Sequence, residues 1–306
     1  MLLYAILGLI LAISCIIVTL LNTCVCSNLH TMTYSEFRSK YCVDDYGTRE
    51  IPKIIFRTAS FHLCSAPSII RYHLENTLLN NPGYIQVYFD DRDCVDFIKE
   101  YYPEYLADYD VLIPTAFKAD LWRLLVMHKY GGIYNDIGHI YLQPVSLLVD
   151  KTDELVLSID NNKAPNSEFE LIPHPSTSLY NAFFASYRKH DVIKLLIDYV
   201  IHNIRERKYG DSALDITGPI AWGKFFEKHC GFSEKATKGV YSCNGHNVKL
   251  VNHYVYEFKD LRNYIADLNG VPVIQTKFKD YYDIIYTQRN LSHYGMLWGN
   301  RLVYKT

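Results

Sequence analysis

Residues 115–136 leave the chain few ways to fold. The segment TAFKADLWRLLVMHKY (115–130) has the apolar spacing of a helix, with Leu121, Leu124, Leu125 and His128 on one face. Gly131-Gly132 stops it, the first glycine being suited to the left-handed position that follows a helix. Ile133-Tyr134 then begin a short strand that delivers Asp136, and Pro144 closes the unit. A helix feeding a strand through a tight glycine link is a building block of α/β architecture.

The flanking sequence repeats the theme. Ile51-Pro52-Lys53-Ile54-Ile55-Phe56 is an apolar run opened by a proline and reads as a first buried strand. A helix is expected over 68–80, a turn at Asn81-Pro82-Gly83, and a strand over 84–89 ending in Asp90-Asp91. Asp93 is placed to cap a helix running to Tyr101 or Tyr102. Further on, 155–159 reads as a strand, 191–207 as an amphipathic helix, 219–229 as another helix carrying a core Trp222, and 248–258 as β-rich. Strands alternating with helices predict an α/β domain with a mixed, largely parallel sheet flanked by helices.

Residues 2–21 contain no charge and span roughly 30 Å as a helix, the thickness of a bilayer core. A cleaved signal peptide has a shorter apolar run and a basic start, and neither is present. The expectation is one N-terminal transmembrane helix (1–22), a polar stem (23–50) and a soluble domain (51–306), with Arg38 and Lys40 following the anchor. A net charge of −2 gives no electrostatic reason to expect nucleic acid as a partner. Of eight cysteines, none forms a CxxC pair, which disfavours structural zinc. In an oxidising lumen Cys230 and Cys243 are spaced for a short-loop disulfide, and Asn290-Leu291-Ser292 is a glycosylation sequon. The 27 tyrosines fit either a sugar-handling surface or simple codon bias.

Asp120 and Arg123 lie three apart, on one face of the 115–130 helix, and Asp136 arrives at the sheet's carboxyl edge, where ligands of open α/β sheets collect. Such a set can grip sugar hydroxyls, ribose or a metal; the plainer alternative is a surface ion pair on an amphipathic helix.

Lys118-Ala119-Asp120-Leu121-Trp122-Arg123 followed by Tyr130-Gly131-Gly132-Ile133-Tyr134-Asn135-Asp136 resembles the sugar-binding region of the DXD-containing glycosyltransferases, glycosyltransferase family 32. The opening strand at Ile51, Asn81-Pro82-Gly83-Tyr84 with Asp90-Asp91, Thr217-Gly218-Pro219 and the stretch from His293 to Trp298 resemble further elements of that family in the same order. The resemblance implies a GT-A-like, Rossmann-type domain. It would move a hexose from a UDP- or GDP-sugar to a glycan or glycolipid with retention, in the Golgi or secretory-pathway lumen. It places Ile54, Phe56 and Arg57 near the nucleotide base, and Asp120 and Arg123 on the donor sugar. Asp136 takes the position of the first DXD aspartate, beside Tyr134; Gly218 and Pro219 fall on the acceptor side, and Trp298 in a closing flap.

The family's second aspartate ligates Mn²⁺ or Mg²⁺, and here that position is Gly138. Three arrangements are compatible with the residues. His139 could be re-aimed as a ligand by a bulge or positive φ at Gly138. Asp136 could hold the metal with His293 or Asn300. Arg123 and His139 could neutralise the diphosphate with no metal. Two other functions compete: a non-catalytic glycan-binding protein on the same fold, and a glycoside hydrolase using Asp120 and Asp136.

Overall fold

A computed structural model describes residues 30–41, 49–162, 177–233, 236–254, 263–289 and 291–306. The 2–21 run, Cys42 and the sequon's Asn290 lie outside them. Among the described residues no helix is long and apolar enough to cross a membrane.

The first described residues fall within the stretch read as a stem. Strand β1 (Met32–Thr33) passes into helix α1 (Tyr34–Lys40) through a reciprocal cap: the Thr33 hydroxyl accepts from the Glu36 amide while the Glu36 carboxylate accepts from the Thr33 amide. Phe37 of α1 is fully buried against Phe56 and Tyr130, so these residues pack as part of the domain.

The chain continues through β2 (Ile54–Thr58), α2 (Ser68–Asn80), β3 (Ile85–Phe89), α3 (Asp91–Tyr101), α4 (Leu106–Asp110), α5 (Thr115–Tyr130), β4 (Gly132–Asn135), β5 (Ile140–Tyr141), β6 (Leu155–Asn162) and β7 (Leu179–Ser186). It ends with α6 (Asp191–Arg205), α7 (Pro219–Cys230), β8 (Gly239–Cys243), β9 (His246–Tyr254), β10 (Tyr264–Ala266), β11 (Pro272–Gln275), α8 (Tyr281–Ile285) and α9 (Tyr294–Gly299). The α3 cap is Asp90, three residues earlier than expected. Asp90 accepts from the amides of Arg92 and Asp93, and Asp93 supplies the return bond.

All the described strands join one mixed sheet in the order β1-β3-β2-β4-β7-β6-β9-β10-β11-β5, with β8 on β9. β1, β3, β2 and β4 are mutually parallel, as are β6 and β9. Helical crossovers through α2 and through α3–α5 enforce that parallel half; the remaining pairs are antiparallel. β3 lies on one side of β2 and β4 on the other. The chain therefore reverses direction across the sheet at β2, and a crevice opens at the carboxyl ends of β2 and β4, the topological position where α/β sheets bind ligands.

Alternation along the strands feeds two cores. Phe56, Tyr134, Leu155, Leu157 and Phe184 join the large cluster under α1, α3, α5, α6 and α7. Ile55, Ile133, Val156, Phe183 and Ala185 point into a second one with Tyr141, Val251 and Ile274. α5 departs from the amphipathic helix expected: Phe117, every residue from 120 to 127, and Tyr130 are buried. A helix covered all round must bury its polar groups too, and it can do so only if they are paired.

Gly131 has φ 65° and ψ −168°, a positive-φ extended conformation rather than the left-handed helical one expected. A Cβ there would lie 2.6 Å from the Arg188 amide nitrogen, and one at Gly132 would lie 2.6 Å from the Ile54 carbonyl. The diglycine is thus required by the close approach of β4 to its neighbours as well as by backbone angle. Cys230 and Cys243 form the disulfide that their spacing suggested, tying the end of α7 to β8.

This packing buries His73 and His190 and partly covers His128. His73 stacks edge-on to Phe278, His128 meets the Tyr102 hydroxyl, and His190 caps α6 by accepting from the Val192 amide. Burial lowers the first two to about 4 and the third to about 3. Because these values are depressed, the unfolded chain takes up protons below about pH 6.5 that the fold refuses. The linked stability is fully present above that pH and is lost as pH falls. The melting temperature should hold between pH 7 and 8 and drop steadily from about pH 6.5 to 4.5; a flat profile across that lower range contradicts the assignment.

Candidate active site

The crevice is organised around one buried guanidinium. Arg123, on α5, is 5% exposed, and its Nη2 lies 3.2 Å from Asp120 Oδ1 and 3.4 Å from Asp136 Oδ1. Its Nη1 donates to the Asn181 carbonyl at 2.7 Å, its Nε donates to Ala119 O, and its face lies 4.4 Å from the centre of the Tyr134 ring. Burial alone would lower its pKa, but Tyr134, Asp136 and Asp120 together outweigh this and the net shift is upward. The charge is therefore fixed at every working pH.

The two carboxylates are not equivalent. Asp120 is 7% exposed; Oδ1 accepts from Asn181 Nδ2 (2.9 Å) and Oδ2 from the Thr217 hydroxyl (2.7 Å). Burial raises its pKa, with Arg123 opposing. Its lone pairs are largely committed, so its main work is to orient Arg123. Asp136 is the more open, with a side chain 31% exposed. The Tyr134 hydroxyl donates to its Oδ1 at 2.6 Å, and its Oδ2 accepts no hydrogen bond from the described residues. That free oxygen faces ligand space.

Two connected clefts meet at Arg123 and Asp136. The larger, about 280 Å³, is lined by Asp120, Asp160, Tyr180, Asn181, Pro219, His253 and Lys277, together with Tyr281, Tyr286, His293 and Tyr294 from the C-terminal segment. The smaller, about 120 Å³, lies over residues 58–61 at the end of β2 and is closed by Tyr281, Ile285, Tyr286 and Leu291. Of the residues expected near a base, none of Ile54, Phe56 and Arg57 lines either cleft. Ile54 and Phe56 are within the strand and pack in the main core, whereas ligand space opens beyond the strand's carboxyl end.

Arg57 has a different place. It is fully buried and donates through Nη1 to the carbonyls of Asp136 (3.0 Å) and His139 (3.2 Å), and through Nη2 to Thr77 Oγ1 (2.7 Å). Burial pulls it down to about 10. It braces the 136–139 turn from behind.

That turn does not assemble the metal ligands expected. Gly138 has no positive φ to re-aim its neighbour. A Cβ at 138 would run into the Tyr281 ring, so any other residue there requires that ring to move. His139 is fully buried, with Nδ1 on Asn135 Oδ1 and Nε2 2.8 Å from the Tyr180 hydroxyl; burial holds it well below the usual histidine range and therefore neutral. His293 reaches the larger cleft, but its Nδ1 accepts from the Gly295 amide of its own helix, and Asn300 is exposed at the far end of that helix. Among the described residues no group of three His, Cys, Asp or Glu side chains could hold an ion. Of the set Asp136, His139 and His293, His139 is thus sealed beneath the turn and His293 is engaged through Nδ1, while Asp136 keeps Oδ2 uncommitted among the described residues.

Of the other expected positions, Tyr134 is buried as a donor to Asp136, Pro219 lines the larger cleft, and Gly218 packs 3.6 Å (as a notional Cβ) from Asp120 Oδ2. Trp298 donates to the Tyr209 carbonyl at 2.7 Å and anchors the C-terminal segment, leaving His293 and the tyrosines to face the cleft. Asp160 was missed. It lies near the carboxyl end of β6, directly after the 155–159 run read as a strand, and that position is the signal that could have found it. His253 Nδ1 holds it at 3.0 Å, and the same ring stacks on Tyr180 with centroids 3.7 Å apart.

The crevice at the switch point thus combines a buried carboxylate–guanidinium pair with an open aspartate. Residues 67–161 match the family described as "Glycosyltransferase sugar-binding region containing DXD motif", so the resemblance read from 118–136 holds for this region. An uncharacterized glycosyltransferase of Acanthamoeba polyphaga mimivirus is 36% identical over 91 residues, 29% of this chain and 36% of that protein. The initiation-specific alpha-1,6-mannosyltransferase of Candida albicans is 30% identical over 26% of this chain and 22% of its own length. Inositol phosphoceramide mannosyltransferase 3 of Schizosaccharomyces pombe is 37% identical over 19% and 16%. The matches thus span only about a sixth to a third of those relatives. The solved PaToxG glycosyltransferase is similar over 58% of this chain and 70% of that one, at 18% identity and a TM-score of 0.41, too distant to carry an argument. The family match and the sequence relatives support a transferase.

Arg57→Met should lower stability by about 3 kcal/mol, since it orphans two buried carbonyls and a hydroxyl. Urea unfolding measures this; a loss below about 1 kcal/mol would show that the turn does not depend on the brace.

Proposed function

We propose that the chain is a GT-A-like hexosyltransferase that takes its sugar from a nucleoside-diphosphate donor and passes it, with retention, to a glycan or glycolipid. The observation that carries this is Asp136. It is an open carboxylate held by Tyr134 and Arg123 at the carboxyl ends of β2 and β4, inside the segment that matches the sugar-binding family. In this reading the smaller cleft over residues 58–61 takes the nucleoside, and the donor hexose lies against Asp136 and Arg123. The acceptor enters along Asp160, Asn181 and Pro219 in the larger cleft.

Leaving-group charge is the chief demand of such a transfer, because the glycosidic phosphate departs as the anomeric carbon gains positive character. Arg123 offers a guanidinium whose orientation is set before ligand arrives, by Asp120, Asn181 and the Tyr134 face. Tyr281, Tyr286 and Tyr294 lie over the clefts and would exclude water that otherwise hydrolyses the donor. The apolar run 2–21 would tether the enzyme to a membrane, and the Cys230–Cys243 disulfide fits a domain in the secretory lumen.

Incubation with a panel of UDP- and GDP-sugars, following release of nucleoside diphosphate, is the direct test. Asp136→Asn should cut turnover roughly 100-fold or more while leaving the unfolding midpoint unchanged. If the wild type consumes no donor yet binds glycans, the non-catalytic glycan-binding alternative replaces this reading.

A further inference from the structure

In a DXD site the second aspartate brings a divalent cation to the donor diphosphate. Here that place is filled by an aromatic ring: Tyr281, at the start of α8, lies so close to Gly138 that a side chain there would run into it. His139 is sealed under the turn with both ring nitrogens engaged. The charge that a metal would supply must then come from the protein.

Few groups can supply it. Arg123 already faces two carboxylates, Asp120 and Asp136, so most of its field is spent within the protein. His253 is paired with Asp160, and burial lowers His293. The remaining cation lining the larger cleft is Lys277. It makes no ion pair with any described residue; its ammonium donates to the Tyr282 hydroxyl at 2.7 Å and lies 4.9 Å from that ring's centre. Its backbone is held on both sides. Thr276 is buried between His253 and the Asn263 carbonyl, and Phe278 is buried against His73. A half-buried lysine on a fixed backbone, its tip propped on a tyrosine, keeps two donors for phosphate oxygens at little entropic cost.

We infer that this site binds its nucleoside diphosphate without a divalent metal, Lys277 supplying the cation and Tyr281 occupying the volume of the missing aspartate. The inference rests on the donor reading above and specifies how that donor is held. An ammonium against a diphosphate is a charge-assisted contact of the kind whose removal weakens binding by tenfold or more.

The test is calorimetric titration of the full-length protein in detergent with UDP and with GDP, in EDTA and in Mn²⁺, for the wild type, Lys277→Met and Lys277→Arg. The expected result is wild-type affinity within about twofold in the two media. Lys277→Met should weaken binding at least tenfold, with an unchanged melting temperature, and Lys277→Arg should recover most of it. Binding that tightens tenfold or more with Mn²⁺, or that is unaffected by Lys277→Met, overturns this inference and leaves the donor reading standing. If neither nucleotide binds in either medium, the donor reading itself falls, and this inference with it.

Discussion

A buried arginine holds the crevice in shape. Arg57 stands in the middle strand of the parallel half, with no exposed surface, and its guanidinium reaches the carbonyls of Asp136 and His139 and the hydroxyl of Thr77. It thereby ties β2, α2 and the turn after β4 into one unit. Burying a guanidinium is expensive, and it is tolerated only when its donors are met by acceptors of fixed position. Two main-chain carbonyls are such acceptors. The same bonds that make the arginine tolerable fix the backbone of Asp136, from which the rest of the site is measured.

On the ligand side of that turn a second guanidinium repeats the device in the opposite direction. Arg123 is buried by α5, the helix covered all round, and is satisfied by Asp120, Asp136 and the Asn181 carbonyl. Tyr134 sits between the two arginine layers as part of the strand, giving its hydroxyl to Asp136 and its ring to Arg123. The open Oδ2 of Asp136 is thus the exposed end of a network whose other members are already satisfied. Such preorganisation lets a surface meet a charged transition state without rearranging.

The segment that matches the sugar-binding family runs from 67 to 161. It contains α2, the switch point and the Asp120–Arg123–Asp136 set, and it ends before Lys277, Tyr281, Tyr286 and His293. The chemistry of the matched region and the cover over it therefore come from different parts of the chain. Gly138 makes sense only when both are seen together: as a residue of the motif it is a missing ligand, and beneath Tyr281 it is the residue that leaves the ring its place.

Local pattern in the sequence was enough to determine the helix over 115–130, the diglycine stop, the strand that follows and the shared face of Asp120 and Arg123, because each depends on residues a few positions apart. It also offered Cys230 and Cys243 as one possible short-loop pair, which the fold then joined, and marked Trp222 as core. What it could not determine was which side of a strand end is ligand space. Arg57 belongs to the opening strand, yet it serves as a brace behind the turn, because Thr77 and the 136–139 carbonyls converge on it from 20 to 82 positions away. His139 resembles a ligand in the motif, but Asn135 and Tyr180 close around it. The role of Gly138 depended on a ring 143 residues downstream (281 − 138). Spacing along the chain sets which groups can share a helix face or a strand end; only packing between distant segments decides which of them remain open to a ligand.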